Sequence, residues 1–295
     1  MYPNDFDYYA ADSISEALDL LDEHAAEEVE LLAGGHSLLP AMKTGLSSPD
    51  VLIDVSGIDE LHGVSVEGDT LSIGAMTTYS EVLDADATHE HAPALAAAIE
   101  TVGDKQVRNR GTVGGNLAHA DPASDLPGAA LASDATLVAE GPDGEREIPV
   151  DDYFLGMYAT ALGHDEILTR VEVPSTDGAG AYAKKPSPSS GYAIVGVAAL
   201  VETDGDAVSS VRVGANGVMG QGVRLEPVED ALAGESLDAE TIEAAAARAT
   251  DDLDEAMMMD DLQASAEFRA QLLEAYTERA LQATAERSPE PPAAD

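Results

Sequence analysis

Apolar and polar residues at the start of the chain follow first a helical and then a strand pattern. From residue 13 the segment SISEALDLLDEHA repeats apolar residues at helical spacing, and Ser13 and Glu16 form a capping box at its start. The short apolar runs at 29–35 (VELLAGG) and 49–55 (PDVLIDV) are typical of buried strands that stop at turn residues. This arrangement predicts a small α/β lobe over about residues 1–57.

Strand patterns dominate the next part of the chain, which we expect to form a second lobe over about residues 58–176. The segments GVSVEGDTLSIGAMTT (63–78) and ATLVAEGPDGEREIPV (135–150) alternate apolar and polar residues around acidic glycine turns, as hairpins do. Between them, residues 93–102 (PALAAAIETV) follow a helical pattern, whereas the glycine-rich segment 111–116 is predicted not to be helical.

The polar, turn-rich segment STDGAG (175–180) marks a domain boundary. Beyond it, two long strand patterns joined at an Asp-Gly turn precede two helical patterns, ETIEAAAARAT and AEFRAQLLEAYTERALQAT. We therefore expect an α+β protein with one domain over residues 1–176 and a smaller α+β domain over residues 177–287. The last residues, 288–295 (SPEPPAAD), are expected to be a disordered tail.

Acidic residues outnumber basic ones throughout these patterns. The 295 residues include 57 Asp and Glu against 14 Lys and Arg, a formal net charge of −43. Such a field repels nucleic-acid phosphates and anionic membranes, so neither is expected as a partner. Because the acids are dispersed among apolar segments and lysine is scarce, the composition indicates a halophilic surface rather than an acidic disordered tail.

The absence of cysteine limits the chemistry that this chain can carry. Without thiolates it supplies no ligands to an iron–sulfur cluster and forms no disulfides, and it lacks the spaced Cys and His residues of a structural zinc site. The N-terminal segment MYPNDFDYYA has no basic region followed by an apolar run, and no stretch approaches the ~20 apolar residues of a membrane span. The expected location is the cytoplasm.

The first candidate binding element is a glycine pair at the end of a predicted strand. Glycines allow backbone N–H groups to converge on one point, and a nearby hydroxyl or helix N-terminus adds to a pyrophosphate-binding nest that needs no lysine. The alternative is a tight turn without a ligand. The candidate cofactor-binding residues are Ala33, Gly34, Gly35, His36, Ser37 and Leu38.

The second candidate element again combines glycines with small polar side chains. Its threonine and asparagine can either bind phosphate or fix the loop, and Asp125, which follows it, can accept from a ribose or ribityl hydroxyl. A polar turn before a helix is the alternative. The chain contains neither a G-x-G-x-x-G nor a P-loop motif. The candidate residues of this element are Thr112, Val113, Gly114, Gly115 and Asn116.

Together these elements resemble the FAD-binding (medium) subunits of the xanthine dehydrogenase and aerobic carbon monoxide dehydrogenase family, the molybdenum hydroxylases, in a haloarchaeal type. The resemblance extends over LLAGGHSLLPAMKTGLSSPDVLIDVSGIDEL, LSIGAMTTYSEV, RNRGTVGGNLAHADPASDLPGAALASDATLV and EILTRVEVP, which cover most of the first ~175 residues. The remainder is similar to the smaller C-terminal domain of that family, although the segment KPSPSSGYA (185–193) departs from the family pattern.

The resemblance implies a two-lobed FAD-binding fold of the vanillyl-alcohol oxidase (PCMH) type, followed by a CO dehydrogenase flavoprotein C-terminal-type domain. In the family both glycine loops wrap the FAD pyrophosphate. The aspartate that contacts the cofactor falls on Asp125, the leucine near the flavin on Leu168, and the lysine near the isoalloxazine on Lys184. Covalent attachment of the flavin at His36 is not expected.

The implied activity is that of an oxidoreductase subunit with no catalytic side chain and no metal of its own. A large partner subunit would carry the molybdenum cofactor and a small one [2Fe-2S] clusters, and FAD on this chain would pass electrons to an external acceptor. A heterotrimer, or a dimer of heterotrimers, is the family expectation. Two alternatives stay open, a stand-alone FAD-dependent oxidoreductase with its own base and a non-catalytic acidic binding or assembly module.

Overall fold

A three-stranded parallel sheet forms the first layer of the protein, whose computed structural model describes residues 2–287. The strands, in the order β1-β3-β2, bury their apolar residues beneath the first helix. Ser13 caps this helix, but Glu16 reaches back to the N–H of Asp12 instead of closing a box on Ser13. The elements are β1 (Asp7–Ala10), α1 (Ile14–Glu23), β2 (Val29–Leu32), α2 (Leu38–Thr44) and β3 (Val51–Asp54).

A five-stranded antiparallel sheet, in the order β4-β5-β10-β6-β7, forms the second layer. Both predicted hairpins are present in it, and six helices lie between its strands in sequence, so helices are more frequent in this region than predicted. The strands are β4 (Val64–Glu67), β5 (Thr70–Gly74), β6 (Thr136–Gly141), β7 (Gly144–Pro149) and β10 (Ile167–Pro174), and β8 (Phe154–Gly156) pairs separately with β9 (Ala159–Thr160).

The six helices are α3 (Tyr79–Asp84), α4 (Asp86–His91), α5 (Pro93–Glu100), α6 (Lys105–Arg108), α7 (Val113–His119) and α8 (Leu126–Ala132). The prediction that residues 111–116 are not helical is wrong, because α7 begins inside them. Its N-cap is Thr112, whose hydroxyl accepts from the N–H of Gly115, and this bond offsets the low helix propensity of the two glycines.

A four-stranded antiparallel sheet in the order β11-β12-β13-β14 forms the last layer. One face is covered by the long C-terminal helix, while α5 and α8 of the preceding region contact the same sheet. The elements are β11 (Ala179–Pro186), β12 (Ala193–Asp204), β13 (Ala207–Asn216), β14 (Val223–Arg224), α9 (Glu226–Leu232), α10 (Ala239–Ala246) and α11 (Ala266–Arg287). The expected disordered tail, 288–295, lies outside the described residues.

Candidate functional site

The two glycine loops meet, although they lie 80 positions apart in sequence (Gly35 to Gly115). A Cβ added to Gly34 would overlap the carbonyl oxygen of Arg110, just before the second loop. A Cβ on Gly115 would lie 2.9 Å from the Cβ of Ala33 and 2.6 Å from the Thr112 hydroxyl. Side chains at either glycine would therefore force the loops apart.

The first loop offers unpaired hydrogen-bond donors. Among residues 2–287, the backbone N–H groups of Gly34, Gly35, His36 and Ser37 have no protein acceptor. The loop turns at Gly35, which has a φ of 74°. Consecutive N–H donors without protein partners are the feature that binds phosphate oxygens in backbone nests. This donor set fits a pyrophosphate.

In the second loop, the N–H groups from Val113 to Asn116 are occupied instead. Val113 and Gly114 donate to the carbonyls of Thr77 (3.1 Å) and Ala75 (2.8 Å), and Gly115 donates to Thr112. The side chain of Asn116 accepts from the Ser124 hydroxyl at 2.6 Å. Of the two roles left open for Thr112 and Asn116, the structure therefore favours fixing the loop. The second loop is the rigid surface onto which the first loop packs.

The remaining residues of the first loop lie beside the contact between the two loops. Ser37 precedes α2 but makes no side-chain cap, and its hydroxyl lies within reach of the Tyr192 hydroxyl. His36 is exposed and lies near Asp104, while Leu38 is partly buried. Tyr192, which the sequence reasoning did not select, is 43% exposed beside the loop.

The two charged candidates, Asp125 and Lys184, bind each other. The Lys184 ammonium donates to Asp125 Oδ2 at 2.8 Å and to the carbonyl of Thr101 at 2.9 Å, and the Tyr182 hydroxyl donates to Asp125 Oδ1 at 2.6 Å. Both side chains of the ion pair are nearly buried, with 9% of Lys184 and 6% of Asp125 exposed. The pair joins the start of α8 to β11.

The ionisation of Asp125 is set by opposing effects. Burial has the largest effect and raises the pKa of Asp125. The charge and hydrogen bond of Lys184 lower this pKa, and the hydrogen bond from Tyr182 lowers it further, but burial prevails. Each carboxylate oxygen keeps a lone pair free beyond its protein donor, so Asp125 still has acceptor capacity towards a ligand hydroxyl.

Leu168 lies on β10, where it is 6% exposed and packs in the core under the five-stranded sheet. A β-bulge follows it, between Leu168 and Arg170, and the carbonyl of Thr169 accepts from the N–H of Ala75 at 2.9 Å. The bulge connects Leu168 to the same segment that supports the second loop. Its assignment to the flavin stays a prediction.

Sequence reasoning missed Tyr79, Tyr182 and Asn216. Tyr79 is buried against Gly111, whose added Cβ would lie 2.5 Å from the ring, and it hydrogen-bonds Asn116. Asn216 at the end of β13 is fully buried next to Tyr182. A tyrosine or asparagine in a helix or strand carries no sequence signal of its own, so only the fold identifies these residues.

Two further properties hold for residues 2–287. None of the helices is long and apolar enough to cross a membrane. No group of three His, Cys, Asp or Glu side chains in this part of the chain could hold a metal ion.

Comparison with protein families gives two matches that together span nearly the whole chain. A family model described as the FAD binding domain in molybdopterin dehydrogenase matches residues 4–176. A second, described as the CO dehydrogenase flavoprotein C-terminal domain, matches residues 180–284.

Whole-length relatives give the same result. The carbon monoxide dehydrogenase medium chain of Hydrogenophaga pseudoflava is 37% identical over 96% of this chain and 98% of its own length. The glyceraldehyde dehydrogenase medium chain of Sulfolobus acidocaldarius is 32% identical over 97% of this chain and 100% of its own. The solved carbon monoxide dehydrogenase of H. pseudoflava superposes with a TM-score of 0.93, covering 98% of this chain and 100% of the matched chain.

Proposed function

This chain belongs to the FAD-binding subunit family of the molybdopterin dehydrogenases, and we propose that it is the FAD-binding subunit of a molybdenum-dependent oxidoreductase complex of the carbon monoxide dehydrogenase type. In that complex a large subunit holds the molybdenum cofactor and a small subunit holds [2Fe-2S] clusters. Electrons leave the clusters through FAD on this chain and reach an external acceptor. The two relatives named above are medium chains of enzymes with different substrates, which supports assigning substrate recognition to a partner subunit.

One observation carries the proposal: four consecutive N–H groups, from Gly34 to Ser37, lack a protein acceptor and lie where the two loops meet. We assign the FAD pyrophosphate to these donors. The floor of the site is formed by Thr112, Val113, Gly114, Gly115 and Asn116. The N–H groups of the last four are used to hold the loop, and Thr112 accepts two of these bonds through its hydroxyl and its carbonyl. Ala33 and Leu38 flank the first loop and complete it.

The flavin end of the site is assigned to the cleft beside Asp125, Lys184 and Leu168. Bound FAD supplies the capacity to accept and release electrons. Asp125 offers a carboxylate acceptor, Lys184 a nearly buried positive charge, and Leu168 an apolar surface that keeps water out. No side chain has to act as a nucleophile or general base, because the protein binds the cofactor and tunes its electrostatic environment.

The division of the chain into residues 1–176 and 177–287, with lobes over about 1–57 and 58–176, is part of the proposal. It is supported by the change from one sheet to the next between β10 and β11, and between β3 and β4. A cytoplasmic location is also proposed, in keeping with the cysteine-free, acidic composition.

The test is electron transfer in the assembled complex. The chain is co-expressed with its large and small partner subunits, and the complex is supplied with carbon monoxide or glyceraldehyde while cluster reduction and reduction of an external dye are recorded. A complex that contains FAD is expected to reduce the dye. After reversible removal of FAD, the clusters are still reduced by substrate, but the dye is not. Equal dye reduction with and without FAD would contradict the proposed role.

A further inference from the structure

Four side chains form one hydrogen-bonded network between β11, β13 and the start of α8. Lys184 and Tyr182 on β11 each donate to one carboxylate oxygen of Asp125, at 2.8 and 2.6 Å. The Tyr182 hydroxyl also lies 3.2 Å from the side-chain amide of Asn216. Three of the four residues come from the last sheet, whereas Asp125 comes from the preceding region, at the start of α8.

The number of available protons decides which group donates to which in this network. The Tyr182 hydroxyl has one proton, and the 2.6 Å bond to Asp125 uses it. Asn216 is fully buried, and its Nδ2 has no hydrogen-bond partner among residues 2–287 in the present amide orientation. Turning the amide over presents Nδ2 as a donor to the Tyr182 oxygen, and such rotations are decided by the hydrogen-bond network. Asn216 then donates to Tyr182, and Tyr182 donates to Asp125.

Glycines provide the room for this arrangement. Gly196, opposite Lys184 on β12, is in contact with the Tyr182 hydroxyl so closely that an added Cβ would overlap it. A Cβ on Gly128 of α8 would lie 2.8 Å from Asn216 Oδ1. The hydroxyl and the amide therefore occupy space that side chains at these two positions would fill. In this space the Tyr182 hydroxyl reaches both Asp125 and Asn216.

We propose that Tyr182 is a positioning residue for the flavin: supported by Asn216, it holds the Asp125 carboxylate in place beside Lys184, so that the last domain completes the cofactor site. The inference rests on the proposed function, because it places the flavin beside this carboxylate. It adds a role for Tyr182 and Asn216, which act through Asp125 and do not have to touch the cofactor.

The arrangement has an electrostatic consequence. Two donors, Tyr182 and Lys184, share the negative charge of Asp125. When Tyr182 loses its hydroxyl, more of that charge acts on the neighbouring flavin, which gains electrons when it is reduced. The midpoint potential of the bound flavin then falls, and FAD binds more weakly because only Lys184 still holds the carboxylate.

The experiment compares Tyr182→Phe with wild type and with Tyr276→Phe in the assembled complex. Tyr276 on α11 is a matched control, since its ring packs in the core of the last domain beside Arg279, away from Asp125. For Tyr182→Phe we expect the Kd for FAD to rise about tenfold, because one charge-assisted hydrogen bond is lost. The flavin potential should also fall, and the visible circular dichroism band of the flavin should change. Tyr276→Phe is expected to match wild type in all three.

Asn216→Ala is the second variant. It keeps the Tyr182 hydroxyl but removes the amide that supports it, so the Kd for FAD should rise and the flavin potential should fall, each by less than in Tyr182→Phe. Wild-type Kd and potential in both variants would overturn the positioning role alone. A wild-type complex in which this chain binds no FAD would contradict the proposed function and this inference together. A weaker Kd with an unchanged potential would also overturn the inference, because it would show a purely structural effect.

Discussion

Individual residues at the proposed cofactor site act mainly through the space that they leave open and the charges that they bury. Gly34 is the clearest case, because its missing Cβ allows the first loop to lie against the backbone of Arg110. The sequence indicated this loop as a candidate phosphate-binding nest whose glycines allow close approach, with a tight turn as the alternative. It could not identify which atoms come close, because Arg110 is remote in sequence and the contact exists only in the folded chain.

Gly34→Ala is predicted to abolish FAD binding while the chain still folds. The new Cβ would overlap the Arg110 carbonyl and separate the loops that form the site. Gly57→Ala is the matched control, since the nearest atom to a Cβ at that glycine is 4.0 Å away. Equilibrium dialysis against FAD measures both. Wild-type affinity in Gly34→Ala would show that the loops do not bind the cofactor together.

Lys184→Met is predicted to destabilise the protein by about 3 kcal/mol, because it leaves the buried carboxylate of Asp125 without its cation. The pKa of Asp125, already raised by burial, rises further when the positive charge is removed. An acid whose folded pKa is raised contributes stability at low pH and loses it as pH rises through that pKa. The deficit relative to wild type should therefore be larger at about pH 8 than at about pH 5.

Urea unfolding at the two pH values measures this difference, with Lys105→Met, at an exposed lysine, as the control. A deficit that is independent of pH would mean that removing Lys184 leaves the protonation of Asp125 unchanged, and it would contradict the predicted rise in the pKa of Asp125. The family resemblance selected both members of the ion pair, but it did not predict that they bind each other. They are separated by 59 positions, and their contact depends on how β11 lies against α8.

At the scale of helices and strands, periodicity predicted β2 to β7, β12 and β13, because each carries apolar residues at the strand spacing and ends at a turn. It did not predict the short strands β1, β8, β9 and β14, or β11, which begins inside the segment interpreted as a domain boundary. Among the helices, α7 contradicted the prediction outright, because its glycines argue against a helix by propensity. It forms because Thr112 caps it and because the N–H groups of Val113 and Gly114 donate to the segment after β5. These partners are far away in sequence, so local preference could not predict them.

The attachment of α11 gives a prediction at this scale. Arg269 is 2% exposed and donates to the carbonyls of Ile194 (2.5 Å) and Gly217 (2.6 Å) and to Asp261, so it connects the helix to the ends of two strands. Arg269→Met should lower the free energy of unfolding by about 3 kcal/mol, because two buried carbonyls lose their donor.

Arg248→Met is the control. It removes an exposed ion pair with Asp251 and should lower the free energy of unfolding by less than about 1 kcal/mol. Chemical denaturation measures the free energy of unfolding of both variants, and equal decreases would refute this role for Arg269.

The whole molecule is dominated by its formal charge of −43, which is spread over the three larger sheets and their helices. Composition predicted a surface adapted to high salt, and that interpretation stays a prediction. What composition could not predict is the arrangement of the layers. The last sheet contacts α5 and α8 through buried small residues and the Asp125–Lys184 pair, and no pattern within one segment encodes such contacts.

The melting temperature is predicted to rise steeply as KCl increases from about 0.1 M to about 1 M. Over this range the Debye length falls from about 10 Å to about 3 Å, and repulsion among the surface carboxylates is screened accordingly. Repeating the salt series near the isoelectric point, about pH 4.1, is the control, because little net charge is then left to screen. A melting temperature that does not change with salt at neutral pH would contradict the halophilic interpretation.

The most direct test of the central claim is the FAD content of each subunit. The complex is purified in high salt, its subunits are separated under conditions that retain the cofactor, and the chromophore of each is released by heat and identified by chromatography. We predict one FAD per copy of this chain and none on its partners. FAD on a partner subunit, or a colourless chain that cannot be reconstituted with FAD, would contradict the account.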